Sequence, residues 1–212
     1  AGQYILAEQF LENHPDATEI YLVVIEDSLL TDFETGYGYQ YAVMPFIETD
    51  TFTGIEADTL HDLKSVYGSF FLNKEMVMLI EHSDLNKKLY YNLLNKVNPK
   101  FSTLEIPDVS ITYIEKMYRL CEEKGVTLYL VPEPLKDVEE RRELEAQIRT
   151  SYEASSLYEL FPDYFEQLQY LQPDMFADNV HIAGTREELN DVIRIMQKNS
   201  NCMKDLILEP QN

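Results

Sequence analysis

The sequence has few cysteines, few glycines and no long apolar run, and each shortage excludes a class of protein. Cys121 and Cys202 are its only cysteines, and two cannot build the disulfide framework of a small secreted domain. The seven glycines form no glycine-rich loop that could cradle a phosphate. No stretch reaches the ~18 consecutive apolar residues of a membrane-spanning helix. The residues present therefore predict neither a disulfide scaffold, nor a P-loop nucleotide site, nor a transmembrane segment.

Positive charge is also scarce. Lysine and arginine number 17 against 38 aspartates and glutamates, which leaves a net charge of -21. A surface of this sign repels nucleic-acid phosphates and anionic lipid headgroups. No local cluster of basic residues is large enough to reverse that repulsion. We therefore expect no nucleic-acid partner, and we interpret the charge chiefly as a source of solubility, with a cationic partner as the alternative.

The length and the apolar pattern favour one α/β domain. With 212 residues, 45% of them hydrophobic, the chain can bury a substantial core. The segment 108–124 has helical periodicity, Gly125 is placed to end it, and a β-branched run follows at 126–131. Helix, glycine and buried strand in that order are typical of a parallel α/β unit. We predict a single domain over 1–212, with a helical and loop excursion at about 31–100.

The remaining elements follow from periodicity and from helix-end signals. Asp108 is predicted to cap the helix that it begins, and Thr185 with Glu188 fits a capping box. The aliphatic run at 19–26 predicts a strand buried on both faces. We further expect a long ordered loop at 31–55 and a mostly helical stretch at 57–96 with breaks near Tyr67-Gly68 and His82-Ser83. Helices are expected at 3–13, 136–150, 157–171 and 186–198.

The segment DMFADNVHI (174–182) carries the most informative pattern for chemistry. It places Asp178 three residues before His181, just ahead of the last predicted helix. A histidine that acts as a general base needs a carboxylate on its other ring nitrogen, which sets the tautomer and stabilises the imidazolium. Three residues apart in one short loop, the two side chains can meet. Asp-x-x-His is also the pattern of a simple surface turn, so its context decides its meaning.

That context resembles the SGNH (GDSL-type) hydrolases, and in particular their bacterial cell-envelope branch, similar to the D-alanyl-lipoteichoic acid protein and to polysaccharide O-acetyl-modifying proteins. Members of this branch have a strand that ends in a proline-containing turn, here Val131-Pro132-Glu133-Pro134. A Phe-x-Asp-x-x-His-Leu block and a final helix follow, and MFADNVHI matches this block. The resemblance covers roughly residues 108–196. It implies that Asp178 orients the ring of His181 and that His181 is the base.

The nucleophilic serine of that family follows the first strand in a Gly-Asp-Ser motif, and two placements remain open here. In the first, Ala1-Gly2-Gln3 corresponds to a later block of the family, so that Gly2 is an oxyanion residue and the serine lies upstream of Ala1. In the second, VVIEDSLLTD (23–32) is the nucleophile block, with Ser28 as nucleophile and Glu26 in place of glycine. We prefer the first, because glutamate crowds the tight turn that presents the hydroxyl.

The resemblance implies a three-layer sandwich with a parallel central sheet, SGNH- or flavodoxin-like and N-terminally truncated in the first placement. It implies an ester hydrolase or acyl-transfer domain that acts on a small ester or an acylated glycan, such as O-acyl groups of envelope polysaccharide. The location it implies is extracellular or in the cell envelope, and an export signal or membrane anchor could precede Ala1. The alternative is an inactive SGNH-like module that binds a glycan or a protein.

Other candidate residues carry less chemical meaning. His14, His61 and His82 are scattered and lack the spacing of metal ligands, so we expect no metal and no cofactor. The tyrosines of the segment 37–41, with Phe46, could stack on sugars. We interpret them instead as a small hydrophobic cluster beneath a long loop.

Overall fold

The computed structural model describes residues 2–30, 104–178, 181–199 and 203, together with scattered positions between 61 and 88. The chain divides into two compact units, one formed by residues 1–17 and 30–125, the other by residues 18–29 and 126–212. Most of the predicted elements at 31–55 and 57–96 lie outside the described residues. Within the second segment, Met78, Leu79 and residues 84–86 are helical, and the predicted break at His82-Ser83 is present.

The elements alternate between helices and short strands, which confirms a mixed α/β fold. In chain order they are α1 (Gly2–Asn13), β1 (Glu19–Val24), α2 (Glu26–Leu29), α3 (Asp108–Lys124), β2 (Thr127–Pro132), β3 (Leu135–Lys136), α4 (Glu139–Glu153), α5 (Ser156–Leu160), β4 (Tyr170–Leu171) and α6 (Arg186–Asn199). Short 3-10 turns cover Phe165–Gln167 and Pro173–Met175. None of the helices in the described ranges combines the length and the apolar character needed to cross a bilayer.

In the first unit, α1 packs against α3. The rings of Tyr4 and Tyr113 lie 6.0 Å apart, and Ile5 of α1 and Cys121 of α3 are almost fully buried. Both helices were predicted from their periodicity, and both predictions are confirmed. Gly125 ends α3 with a φ of 71°, in the left-handed region, and its N–H donates to the carbonyl of Glu122. Glycine is favoured there because it has no Cβ to clash with the backbone.

The predicted cap of α3 is wrong. Pro107 occupies the N-cap position, and no side chain caps the helix. Asp108 is instead the first helical residue. Proline has no N–H and a fixed φ, so the helix begins directly after it. Asp108 still favours the helix through its negative charge beside the positive end of the helix dipole.

The second unit contains the parallel strands. β1 and β2 pair in register from Glu19 opposite Thr127 to Val24 opposite Pro132. β2 is well buried, but Leu22 is the only buried residue of β1. The side chain of Val23 is 45% exposed. The prediction that β1 is buried on both faces is therefore wrong, because the aliphatic run reports β-propensity but not how many layers cover it.

One predicted helix lies three residues further along the chain than its pattern indicated, and another is shorter. Lys136 belongs to β3, which pairs in parallel with β4, and α4 begins only at Glu139. The helix predicted over 157–171 stops at Leu160, because Phe161 precedes Pro162 and adopts non-helical angles. A 3-10 turn and β4 replace its second half.

The last helix and the core beneath it position the segment that carries the candidate site. α6 spans Arg186–Asn199, as predicted. Its residues Val192 and Met196 are buried against Val131 of β2 and Phe176, whereas Leu189 is 39% exposed. The side chain of Glu188, half of the predicted capping box, lies outside the described residues. The chain divides into two compact units, and the single domain over 1–212 stays a prediction.

Candidate functional site

A tight loop between the 3-10 turn and α6 carries Asp178 and His181. Phe176 and Ile182 form an antiparallel bridge across its base. Two further hydrogen bonds close it, from the N–H of Ala177 to the carbonyl of His181 at 2.8 Å and from the N–H of Ala183 to the carbonyl of Met175 at 2.7 Å. Phe176 is buried in the core. The loop is thus anchored to the hydrophobic core, while Asp178 and His181 are exposed to solvent.

The structure brings the two predicted dyad residues together. His181 Nδ1 lies 2.7 Å from Asp178 Oδ2, and the main-chain N–H of His181 donates to Asp178 Oδ1 at 2.8 Å. The side chains are 78% and 55% exposed, respectively. The hydrogen bond and the charge of Asp178 raise the pKa of His181 above its ordinary value. Asp178 therefore orients the ring and favours its protonated form, as a base-orienting carboxylate does.

The second ring nitrogen of His181 is available for chemistry. Within the described residues, Nε2 has no hydrogen-bond partner. With Nδ1 committed to Asp178, the neutral ring presents Nε2 as an acceptor. His181 can therefore take a proton from a hydroxyl that approaches from solvent.

Two charged residues after β2 act on this dyad. Lys136 Nζ donates to the main-chain carbonyl of Asp178 at 3.1 Å. Burial raises the pKa of Glu133, and the nearby charge of His181 opposes that rise. The charge of Glu133 in turn contributes to the raised pKa of His181. The dyad thus lies within electrostatic reach of the carboxyl end of β2.

Ser28 lies at the same edge of the sheet. It belongs to the short helix α2, which follows directly after β1, and it is exposed. The N–H of Glu133, which follows β2, donates to the carbonyl of Val24 at 3.0 Å, so the two strand ends lie side by side. No hydrogen bond within the described residues joins Ser28 to His181. Ser28 and Glu133 thus follow two strand ends that lie side by side, and the charge of Glu133 acts on His181.

The remaining predicted site residues belong to the first unit or lie outside the described residues. Gly2 is the first residue of α1 in the first unit and is buried. Its role as an oxyanion residue, and a serine upstream of Ala1, stay predictions. His14 stacks on Phe10 at 4.3 Å between ring centroids, and His61 and His82 are exposed. The tyrosine segment 37–41 lies outside the described residues.

The sequence did not reveal a buried ionic cluster beneath the Ser28 turn. Arg141 of α4 reaches both Glu26 and Asp27, and the hydroxyl of Tyr164 donates to the carbonyl of Val24 at 2.8 Å. Burial raises the pKa of Glu26 to about 7 against the opposing effect of Arg141, and burial likewise raises the pKa of Tyr164. The only sign of this cluster in the sequence was the acidic pair Glu26-Asp27 directly after an apolar strand. Its basic partner, Arg141, lies more than a hundred residues further along the chain.

Comparisons with known proteins found no match for this chain. No family model matches the chain, and neither the curated proteins nor the solved structures yield a significant match.

Proposed function

We propose that this chain is an SGNH-like ester hydrolase or acyl-transfer domain, which acts on a small ester or on O-acyl groups of a glycan of the cell envelope. The observation that carries the proposal is the 2.7 Å contact between His181 Nδ1 and Asp178 Oδ2. It leaves Nε2 exposed to solvent on a loop that is anchored to the core. A carboxylate bound to Nδ1 sets the tautomer in which the neutral ring can act as a base through Nε2.

Although the sequence favours a serine upstream of Ala1, Ser28 is exposed in the turn that follows β1, and we propose it as the nucleophile of this chain. Its Oγ attacks the acyl carbon while His181 Nε2 accepts the hydroxyl proton, and the same proton passes to the departing alkoxide as the ester bond breaks. The acyl-enzyme then reacts with water, in hydrolysis, or with another hydroxyl, in transfer. The alternative remains a serine upstream of Ala1, with Gly2 as an oxyanion donor.

The proposal includes the finer architecture. The parallel pairs β1–β2 and β3–β4 would form part of the central sheet of a three-layer sandwich, with helices on both faces. In such folds the chemistry takes place at the carboxyl ends of the strands. The Ser28 turn follows β1 and Glu133 follows β2, which supports this arrangement.

Hydrolysis of p-nitrophenyl acetate by the purified chain tests the proposal. We expect His181→Ala to lower kcat/KM by roughly 10²–10⁴-fold, the usual contribution of a general base. His82→Ala, which removes another exposed histidine, is the matched control and should leave the rate unchanged. Equal rates for His181→Ala and the wild type would exclude ester hydrolysis by this chain with His181 as the base. Ser28→Ala distinguishes the placements, since it abolishes turnover only if Ser28 is the nucleophile.

The second candidate function is an inactive SGNH-like module that binds a glycan or a protein. It is favoured by one observation, the lack of any hydrogen bond from a hydroxyl to His181 Nε2 within the described residues. In this case Asp178 and His181 form an exposed polar contact surface. Calorimetric binding of an acylated glycan without its turnover, weakened by His181→Ala, would support the module over the enzyme.

A further inference from the structure

The turn that carries Ser28 is held at its start by two hydrogen bonds to one carbonyl. The oxygen of Val24, the last residue of β1, accepts from the hydroxyl of Tyr164 at 2.8 Å and from the N–H of Glu133 at 3.0 Å. One residue later, the carbonyl of Ile25 accepts from the N–H of Ser28 at 2.9 Å. The backbone on both sides of Glu26 and Asp27 is therefore fixed.

Arg141 holds the middle of the turn from a distant helix. Its Nη1 donates to Asp27 Oδ2 at 2.7 Å, and its Nη2 lies 2.7 Å from Glu26 Oε1. The guanidinium is a rigid planar fork, so binding two carboxylates at once restricts both side chains. These are the two residues directly before Ser28. Glu26 and Leu29 point inward and are buried, which leaves Ser28 on the exposed side of the turn.

Stability alone does not account for this arrangement. The side chain of Glu26 is fully buried and that of Arg141 is 10% exposed. The short contact between them lacks hydrogen-bond geometry, and neither oxygen of Glu26 has a hydrogen-bond partner within the described residues. Burial removes water from the Glu26 carboxyl, and Arg141 compensates this cost only in part. The pKa of Glu26 is therefore raised to about 7. Replacing a buried ion pair by apolar residues of similar volume is often neutral or stabilising. The contacts of Arg141 with Glu26 and Asp27 therefore point to a geometric role.

We propose that Arg141 is a positioning residue, which fixes the direction of the Ser28 hydroxyl by binding Glu26 and Asp27 together. The inference rests on the proposed function, with Ser28 as the nucleophile of this chain. Arg141 itself does not touch the substrate. It sets the attack geometry through the two residues before Ser28, and an error of about 1 Å in such a geometry can slow a reaction by ~10²-fold.

Steady-state ester hydrolysis and labelling of Ser28 by phenylmethylsulfonyl fluoride test this role. In Arg141→Met we expect kcat and the labelling rate to fall by roughly 10²-fold, with KM nearly unchanged. Arg141→Lys should recover part of both rates, because a single ammonium keeps the charge but cannot hold both carboxylates in a fork. Arg142→Met is the matched control, since Arg142 follows in the same helix and forms an exposed ion pair with Asp137 at 2.8 Å.

A double variant separates positioning from stability. Arg141→Met alone leaves Glu26 buried and unpaired, whereas Glu26→Met/Arg141→Met removes both charges and should restore the unfolding midpoint in urea. We expect kcat to remain low in this stable double variant. A return of kcat together with stability, or an equal loss in Arg142→Met, would overturn the positioning role. A wild-type chain without Ser28-dependent turnover would overturn this role together with the placement of the nucleophile at Ser28, whereas Ser28-dependent turnover that Arg141→Met leaves intact would overturn only the positioning role.

Discussion

Asp178 binds His181 through both of its carboxylate oxygens. Oδ1 accepts from the main-chain N–H at 2.8 Å and Oδ2 lies 2.7 Å from the ring nitrogen Nδ1. The first contact fixes the loop and the second fixes the ring, so one side chain determines both the position and the tautomer of the histidine. The relationship is local in sequence, but the bridge between Phe176 and Ile182 holds the loop in which it forms.

The first prediction concerns the pH dependence of ester hydrolysis. A base must be neutral, and Asp178, followed by Glu133, raises the pKa of His181. The acid limb of kcat/KM should therefore lie above the ordinary value of about 6.5, with activity gained as pH rises through it. Asp178→Asn should move this limb to lower pH and reduce the maximal rate by roughly 10²–10⁴-fold. Asp174→Asn, an exposed neighbour, is the control, and an unmoved limb in Asp178→Asn would contradict the dyad.

The same contact should affect stability with a defined sign. Because the pKa of His181 is raised in the folded state, protonated His181 stabilises the fold below its unfolded pKa, and this contribution is lost as pH rises through the folded value. The side chains are largely exposed, so the effect on the urea midpoint should be small. It should disappear in Asp178→Asn.

The second prediction concerns Glu26, whose pKa rises from 4.5 to about 7 on folding. The folded state retains a proton that the unfolded chain releases, so the free energy of unfolding should fall by about 3 kcal/mol as pH rises from about 4.5 to above 7. Urea unfolding at pH 4.5 and pH 8 measures this difference. Glu26→Gln should lose that part of the pH dependence. A variant with the same pH dependence as the wild type would show that Glu26 titrates normally.

The third prediction concerns Tyr164, whose hydroxyl donates to the carbonyl of Val24. Tyr164→Phe should lower the free energy of unfolding by only about 1 kcal/mol, because that carbonyl keeps its second hydrogen bond from Glu133. Tyr158→Phe is the control, since the side chain of Tyr158 is 43% exposed. Thermal or urea unfolding gives the difference. A loss several times larger would mean that the hydroxyl has a role beyond this one bond.

The fourth prediction concerns the end of α3 at Gly125. A Cβ placed there meets nothing within 4 Å, but the φ of 71° disfavours side chains. Gly125→Ala should therefore cost about 1–2 kcal/mol of unfolding free energy from backbone strain alone. Gly125→Asn should cost less, since asparagine tolerates the left-handed region. Equal losses in both variants would point to a steric cause instead of a conformational one.

Elements that depend on local spacing could be predicted from the sequence. The helices at 2–13, 108–124 and 186–199 follow from periodicity, and Gly125 ends α3 because of its own backbone freedom. The contact between Asp178 and His181 is also local, since three residues in one loop suffice to bring a carboxylate to an imidazole. Such features arise from residues only a few positions apart, and the amino-acid order is enough to specify them.

The order of the residues was thus enough to predict an acidic α/β chain, three of its helices, two strands of a parallel sheet near 19–24 and 127–132, and the Asp178–His181 contact. The three-dimensional packing was needed to show that these two strands pair with each other, how far each is buried, where Lys136 pairs, and that Arg141 lies beneath the turn of Ser28. These features join segments more than thirty residues apart. Their contacts depend on how whole elements pack, and no spacing along the chain encodes that packing.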